Sequence, residues 1–387
     1  MPSDCLQEGF GVYLDASKTT SGQRFFIQLG SALASRSQSL EIRPRTVLFN
    51  ISAPWAEILR AKLRGQKVVL RVDGLYFDRP TEAFLRRFRA PIASLLRAFL
   101  VRPRWHDFAC DIANFLDSNY AGFLRIWLAD CVIYQSRFSY RVHQRYFAGK
   151  PSYIVVNGSH FVAQPARPER QPHEPVRLVT IYDDWRLSKR IYDVLRFVEW
   201  LVNERRMNLE LTVLGYTGCI PASYPADARS FLEQRPYVKT LPRFLAFEGG
   251  VAAALLSADC YVTFSFRDSC PNAVVEAMAH GLPVLGVASG GIPDIVGDAG
   301  YLLPLDDFEE GHFSAHRFDN QFPPIDFVAM SGLLEDLLAN LPQLRQRVRR
   351  RFADELSISA AADRYAAVLE GFGGGHGRLT IQSQVDH

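Results

Sequence analysis

The chain predicts an α/β protein made of two parallel-sheet domains that face each other across a cleft. Three observations carry this expectation. Its 387 residues exceed what one ordinary core accommodates and suit two domains of somewhat under two hundred residues each. Short β-like runs alternate with helical patterns almost throughout, the order that builds parallel sheets flanked by helices. One segment between the two halves, HFVAQPARPERQPHEP from His160 to Pro175, breaks that rhythm with four prolines, which neither a helix nor a sheet interior tolerates.

In the first half the order is GVYLDA, a helix from Gln23 to Ala34, TVLFNIS, a helix from Trp55 to Arg64, and KVVLRVDG. A helical stretch near Asn114 to Leu128, the strand CVIYQS, a helix from Phe138 to Phe147 and the strand YIVVNG complete it. After the proline-rich linker come RLVTIY, a helix from Lys189 to Glu204, LELTVLGY, a helix around Ala226 to Gln234 and another from Glu248 to Ser257. CYVTFSF, a helix from Asn272 to His280 and PVLGVAS then restore the alternation. Two helical patterns follow from Asp326, and the glycine-rich tail GFGGGHGRLTIQSQVDH reads as disordered. The expected boundaries are 1–165 for the first domain, 176–350 for the second, 351–371 for a C-terminal helix and 372–387 for the tail.

Composition narrows the function classes. Apolar residues at 48% and charged residues at 22% suit a globular protein with sizeable cores, and a net charge of +3 is too small to gather nucleic acid. The start MPSDCLQEGFGVYLD has no basic, then apolar, signal pattern, and no run reaches the roughly 20 apolar residues that span a bilayer. The expectation is a cytoplasmic protein. Six cysteines without a CxxC pair, nine histidines without HExxH spacing, and the lack of any DxD pair predict free thiols and no metal site.

The stretch FSFRDSCPNAVVEAMAHGLPVLGVASGGIPDIVGDAGYLLP, from Phe264 to Pro304, is the most informative. A strand ends at Phe266, Arg267 to Pro271 form the loop at its carboxyl end, and Pro271 and Asn272 suit the first positions of a helix. Ligands of an open α/β sheet sit at that edge, and a helix start there offers backbone N–H groups and a positive dipole end to a diphosphate. Asp268 in the loop and Glu276 a turn inside the helix can reach different parts of one ligand. Gly290 and Gly291, at the end of the strand Val284 to Ala288, let the backbone of a second contact loop approach a ligand closely. Singly, Asp268 also reads as a cap, Glu276 as a solvated helix residue and the glycines as turn formers.

Taken together, these residues resemble the donor-binding segment of family-4 retaining glycosyltransferases (glycosyl transferases group 1), which have the GT-B fold of two Rossmann-like domains. The match is Asp268, seven residues, Glu276-Ala277-Met278-Ala279-His280-Gly281-Leu282-Pro283-Val284, then Gly290-Gly291. The resemblance implies that Glu276 hydrogen-bonds the ribose of a nucleotide-sugar donor. By the same resemblance the backbone of Cys270, Pro271, Asn272 and Ala273 holds the diphosphate and Asp268 lies against the sugar. The family usually has Glu where this chain has Asp268. In YDDWRLSKRIYDVL, Lys189 falls where the family places a phosphate-binding lysine. The usual arginine position falls near Asp183 or Asp184, so Arg186 is the candidate to substitute for it. KTTSGQRFFIQLGSAL resembles the family's first loop, with Gly22 as its glycine, and VVLRVDGLYFD places Asp73 at a strand end facing the cleft. For Asp73, a turn-forming Asp-Gly pair is the competing reading.

What the resemblance implies is a metal-independent, retaining hexosyl transfer that needs no cofactor beyond its nucleotide-sugar substrate. The acceptor is a glycan or lipid-linked hydroxyl of the kind used in bacterial polysaccharide, lipopolysaccharide or glycolipid synthesis. Asp268, Lys189 and Asp73 are the catalytic candidates. FLRRFRAPIASLLRAFLVRPRW, residues 84–105, carries six arginines and no acidic residue. It suits contact with an anionic membrane, at the inner face of the plasma membrane, or with an acidic acceptor, and a core-packing helix with solvated arginines is the alternative. A nucleotide-sugar epimerase of the same fold and an inactive nucleotide-binding protein are the competing functions.

Overall fold

The computed structural model describes residues 10–14, 21–35, 44–74, 82–160, 173–182, 185–220, 224–242, 250–305 and 322–373. Most of the expected linker, residues 161–172, lies outside them, as do Asp183, Asp184 and the tail from residue 374.

In the first half, β1 (Phe10–Val12), α1 (Ser21–Ala34), β2 (Thr46–Asn50), α2 (Trp55–Leu63) and β3 (Lys67–Val72) come first. The helices α3 (Glu82–Leu85), α4 (Ala90–Leu100), α5 (His106–Asn114) and α6 (Tyr120–Leu128) then lead to β4 (Cys131–Tyr134), α7 (Arg137–Phe147) and β5 (Ser152–Ile154). A π turn, Phe115–Asn119, joins α5 to α6. All five strands are parallel and lie in chain order. Strands buried on both sides read as near-continuous apolar runs, and VVL in β3 and CVIY in β4 do so here. On one face Leu48, Val69 and Ile133 pack against Phe25, Phe26 and Leu29 of α1. On the other, Phe49, Val68 and Leu70 pack against Ile58 of α2 and Ile126 of α6.

The second half contains β6 (Val176–Ile181), α8 (Ile191–Asn203), β7 (Leu209–Leu214), α9 (Ala228–Gln234), β8 (Val238–Leu241), α10 (Gly250–Ser257) and β9 (Cys260–Thr263). It continues through α11 (Asn272–Ala279), β10 (Val284–Ala288), α12 (Ile292–Val296), β11 (Gly300–Pro304), α13 (Phe327–Ala339) and α14 (Leu341–Arg351). Its six strands are parallel in the order β11-β10-β9-β6-β7-β8. The direction of winding therefore reverses between β6 and β9, which are direct neighbours through Leu178–Cys260 and Val179–Tyr261. Such a reversal opens a crevice at the carboxyl ends of the two strands. The first sheet, laid down in chain order, has no such point.

Helix α15 (Ile358–Gly373) returns to the first domain. Ala361, Ala362, Tyr365 and Leu369 join the core beside α1, and Ser159 hydrogen-bonds Leu356 and Ile358 on either side of Ser357 (2.9 and 2.8 Å). The C-terminal region thus holds three helices, α13, α14 and α15, where two patterns were expected. Asn340 ends α13, and Pro342 in the first turn of α14 starts a new helix without costing a bond. The last helix also runs two residues past the expected boundary at 371, because Phe372 packs on the first-domain core.

Candidate functional site

The crevice between β6 and β9 is where two loops meet. After β6, a 3-10 turn, Leu187–Lys189, leads into Arg190, whose left-handed backbone (φ 54°) turns the chain into α8. The strand β9 stops at Thr263, earlier than the expected Phe266. The Phe266 N–H leaves the sheet to donate to the Ser188 carbonyl at 2.8 Å, so that the two loops are stitched together. Lys189 and Asp268 form an ion pair across this junction, with side chains only 20% and 21% exposed. Burial by itself pushes the Asp268 carboxyl up, but the Lys189 ammonium, the Cys270 N–H and the Arg186 charge together hold it below the usual carboxylate range. Arg186 itself is exposed, and its carbonyl accepts from the Tyr224 hydroxyl at 3.1 Å.

Asp268 also shapes the loop. Its Oδ1 accepts the Cys270 N–H at 3.2 Å, closing an Asx turn that delivers the chain to Pro271. Pro271 is the N-cap of α11 and supplies no capping side chain; the Val274 N–H donates to the Pro271 carbonyl at 2.9 Å, which leaves the Asn272 and Ala273 N–H groups at the helix start for other partners. Glu276 is the fifth residue of α11 and half-buried. Its negative charge adds to burial in raising the buried Tyr261 hydroxyl on β9. The Cys270 thiol is pushed by burial to about 12, which makes it an inert neighbour and not a nucleophile.

Gly290 and Gly291 do bring one backbone against another, but the partner is the Asp268 loop itself. Gly290 has φ +61°, and a Cβ there would collide with the Asp268 carbonyl. A Cβ on Gly291 would collide with the Ser269 carbonyl. The Gly291 N–H donates to the Asp268 carbonyl at 2.7 Å and the Ser289 hydroxyl accepts the Arg267 N–H at 2.9 Å. The glycine loop is thus a clamp on the loop that carries Asp268.

In the first domain, Asp73 stands just beyond the carboxyl end of β3, as expected. It is held there by side chains absent from the expected site. Arg71, fully buried in β3, donates to Asp73 Oδ1 (3.0 Å), to Asn50 Oδ1 (3.0 Å) and to Asn157 Oδ1 (3.0 Å), while its guanidinium lies over the Phe25 ring. Gln135, just after β4, also donates to Asp73. A charge inside the apolar run VVLRVDG was the available signal, since a buried arginine must be paired. Gly22 is the second residue of α1 and not a loop residue: the helix begins at Ser21, one residue earlier than the glycine.

The two edges touch. Asn157 Nδ2 donates to Asn272 Oδ1 at 2.8 Å, the Arg137 N–H donates to Asp294 of α12 at 2.6 Å, and Gly74 lies so close to the Ser269 hydroxyl that a Cβ would collide with it. Asp268, Lys189, Cys270, Pro271, Asn272, Ala273, Glu276, Gly290 and Gly291 therefore form one continuous edge, with Asp73 on the facing one. Among the described residues, no three His, Cys, Asp or Glu side chains gather as a metal site would require.

Outside the crevice, the arginine-rich segment forms α3, α4 and a 3-10 turn, Pro103–Trp105. Phe84, Leu85 and Leu96 make a small core with Ala113. Leu95, Val101, Trp105, Phe108, Tyr120 and Trp127 remain exposed, Val101 and Trp127 by 79% and 70%. Arg87 and Arg97 pair with Asp117 and Glu82, and Arg86, Arg89, Arg102 and Arg104 are exposed. Among the described residues no helix is long and apolar enough to cross a membrane.

Comparison with known proteins agrees with this architecture. Residues 185–315 match the family described as Glycosyl transferases group 1. A curated relative, N-acetyl-alpha-D-glucosaminyl L-malate synthase of Bacillus anthracis, is 28% identical over 136 residues, 35% of this chain. That match spans about a third (34%) of the relative's own length. Among solved structures, sucrose-phosphate synthase from Thermosynechococcus elongatus is similar with a TM-score of 0.54 at 15% identity, over 92% of this chain and 80% of that one. WaaG, a glycosyltransferase involved in lipopolysaccharide biosynthesis, is similar with a TM-score of 0.52 at 15% identity, over 94% of this chain and 99% of that one. The fold is GT-B over essentially the whole chain, and the family match lies on the second domain, where the reversal point and the Asp268 loop are.

Proposed function

We propose that this chain is a metal-independent retaining glycosyltransferase that moves a sugar from a nucleoside-diphosphate donor to a hydroxyl acceptor. The observation that carries the proposal is the meeting of Lys189, Asp268 and the uncapped start of α11 at the reversal point of the second sheet, with Glu276 one turn along the helix. The helix start offers fixed N–H dipoles to a diphosphate and Lys189 a full positive charge. Both stabilise a departing phosphate more than an intact donor, which is what lowers a barrier. Glu276 is placed to accept from ribose hydroxyls, and Asp268, kept ionised by its neighbours, to accept from sugar hydroxyls.

Asp73, fixed by Arg71 and Gln135 on the opposite edge, faces the acceptor side. With positive charge supplied by Lys189 and backbone dipoles, the leaving group needs no metal to neutralise it. The cytoplasm is the compartment in which activated sugars of this class are available. The exposed apolar and arginine-rich face on α4 to α6 suits an anionic membrane carrying a lipid-linked acceptor.

Thermal unfolding with UDP, GDP, ADP and CDP tests the reading. A ligand at about a hundred times its dissociation constant adds about 2.7 kcal/mol of stability, and one of the four is expected to do so with chelator present. Stabilisation by none of them, or transfer lost in chelator and restored by manganese, would overturn the donor or the metal-independence part respectively.

A further inference from the structure

The geometry points to Asn157 as a positioning residue: held by Arg71, it orients the Asn272 amide so that the Asn272 NH2 group donates to the donor's diphosphate. This rests on the glycosyltransferase reading above and adds a first-domain control over the second-domain site.

Donor and acceptor roles fix the direction of each bond. A guanidinium can only donate, so the Arg71 bond (3.0 Å) requires Oδ1 of Asn157 to face Arg71. The other end of the amide, Nδ2, is then left to donate, and it does so to Gln135 Oε1 (3.2 Å) and to Asn272 Oδ1 (2.8 Å). Gln135 is fixed in the same sense, because its own Nε2 donates to the Val72 carbonyl (3.1 Å) and to Asp73, neither of which can donate back. The chain of obligations ends on Asn272, whose oxygen must accept. Its Nδ2 is therefore the end left over, and among the described residues nothing accepts from it.

Asn272 is the first residue of α11, beside the uncapped N–H groups, so the leftover amide adds two donors where an anion is expected. Arg71 is fully buried and Asn157 nearly so, and in such surroundings a wrongly turned amide leaves unpaired polar atoms at a cost that holds the arrangement in place. The orientation is available only when the two domain edges meet. Closure of the cleft therefore sets the donor site's last hydrogen-bond donors.

The test uses the full chain and the nucleoside diphosphate that stabilises it best of UDP, GDP, ADP and CDP, with the matching nucleoside as control. In Asn157→Asp, position 157 accepts where it donated, so Asn272 turns over and presents its oxygen to the diphosphate. Affinity for the nucleoside diphosphate is expected to fall about tenfold, against about twofold for Asn157→Ala, and nucleoside affinity to stay unchanged. Charge repulsion from the new carboxylate alone would persist when Asn272→Ala is combined with it. The orientation effect would vanish there, so the double variant is expected to bind like Asn272→Ala alone. Asn157→Asp binding the diphosphate as the wild type does, or losing nucleoside and diphosphate affinity alike, overturns the inference. If the wild type binds no nucleoside diphosphate, it is the glycosyltransferase reading that fails.

Discussion

Lys189 and Asp268, seventy-nine positions apart in the chain, are the two halves of one mostly buried ion pair at the point where the second sheet reverses its winding. Removing one partner leaves the other charge in a site that penalises it. In Lys189→Ala, Asp268 loses the two largest influences that oppose its burial, and its carboxyl moves upward from its lowered position. The expected outcome is a fall of about ten- to a hundredfold in both kcat and kcat/KM, equivalent to about 1.4–2.7 kcal/mol of lost transition-state stabilisation. Unchanged turnover would remove Lys189 from the mechanism.

Glu276→Ala is expected to weaken nucleoside diphosphate binding by about ten- to a hundredfold, the range for losing charge-assisted hydrogen bonds to hydroxyl groups. Because Glu276 is half-buried and not in the core, the midpoint of thermal unfolding without ligand is expected to stay close to that of the wild type. Titration calorimetry and a melting curve decide the matter together, and a large loss of unliganded stability would make Glu276 a structural residue.

Gly290→Ala places a methyl group against the Asp268 carbonyl at a left-handed backbone position. Strain of this kind costs about 1–3 kcal/mol. The clamp must loosen, so both stability in urea and nucleotide affinity are expected to drop. Full affinity in this variant would show that the clamp does not set the Asp268 loop.

His143 gives a pH signature set mainly by its burial, which outweighs the opposing pull of the Asp73 charge. It is fully buried against Tyr134, and burial lowers it from 6.5 to about 4. The folded protein therefore keeps it neutral while the unfolded chain protonates it below pH 6.5. Its contribution is present above 6.5 and is lost as pH falls toward 4, amounting to about 2 kcal/mol between roughly pH 7 and pH 5. Urea unfolding at the two values, compared with His143→Gln, measures it; an equal drop in the variant would assign the loss to other groups.

The face formed by α4 to α6 is expected to bind vesicles containing phosphatidylglycerol at low salt and to ignore neutral phosphatidylcholine vesicles. Replacing exposed Val101 and Trp127 by Ser, or Arg102 and Arg104 by Glu, is expected to weaken this binding by several fold without altering the melting temperature, since all four are exposed. Wild-type protein that sediments with neither kind of vesicle would rule out the membrane contact.

Read as letters alone, the chain specifies the parallel two-sheet architecture, a helix start directly after the strand at Cys260, and the grouping of Asp268, Cys270 to Ala273 and Glu276. These are local properties: a strand followed by a loop and a helix puts its loop at one edge wherever the strand lies. The remainder depends on packing. Which strand neighbours β9 is a matter of pairing over some eighty residues, and that pairing brings Lys189 to Asp268. The glycines at 290 and 291 are ambiguous as letters, because close approach does not say to what; the packed loops show it is to the Asp268 turn. Arg71 is visible as a charge in an apolar run, but its partners Asn50, Asp73 and Asn157 come from the ends of three strands. A buried guanidinium satisfies its donors with whatever side chains the fold delivers, and no spacing in the sequence encodes that choice.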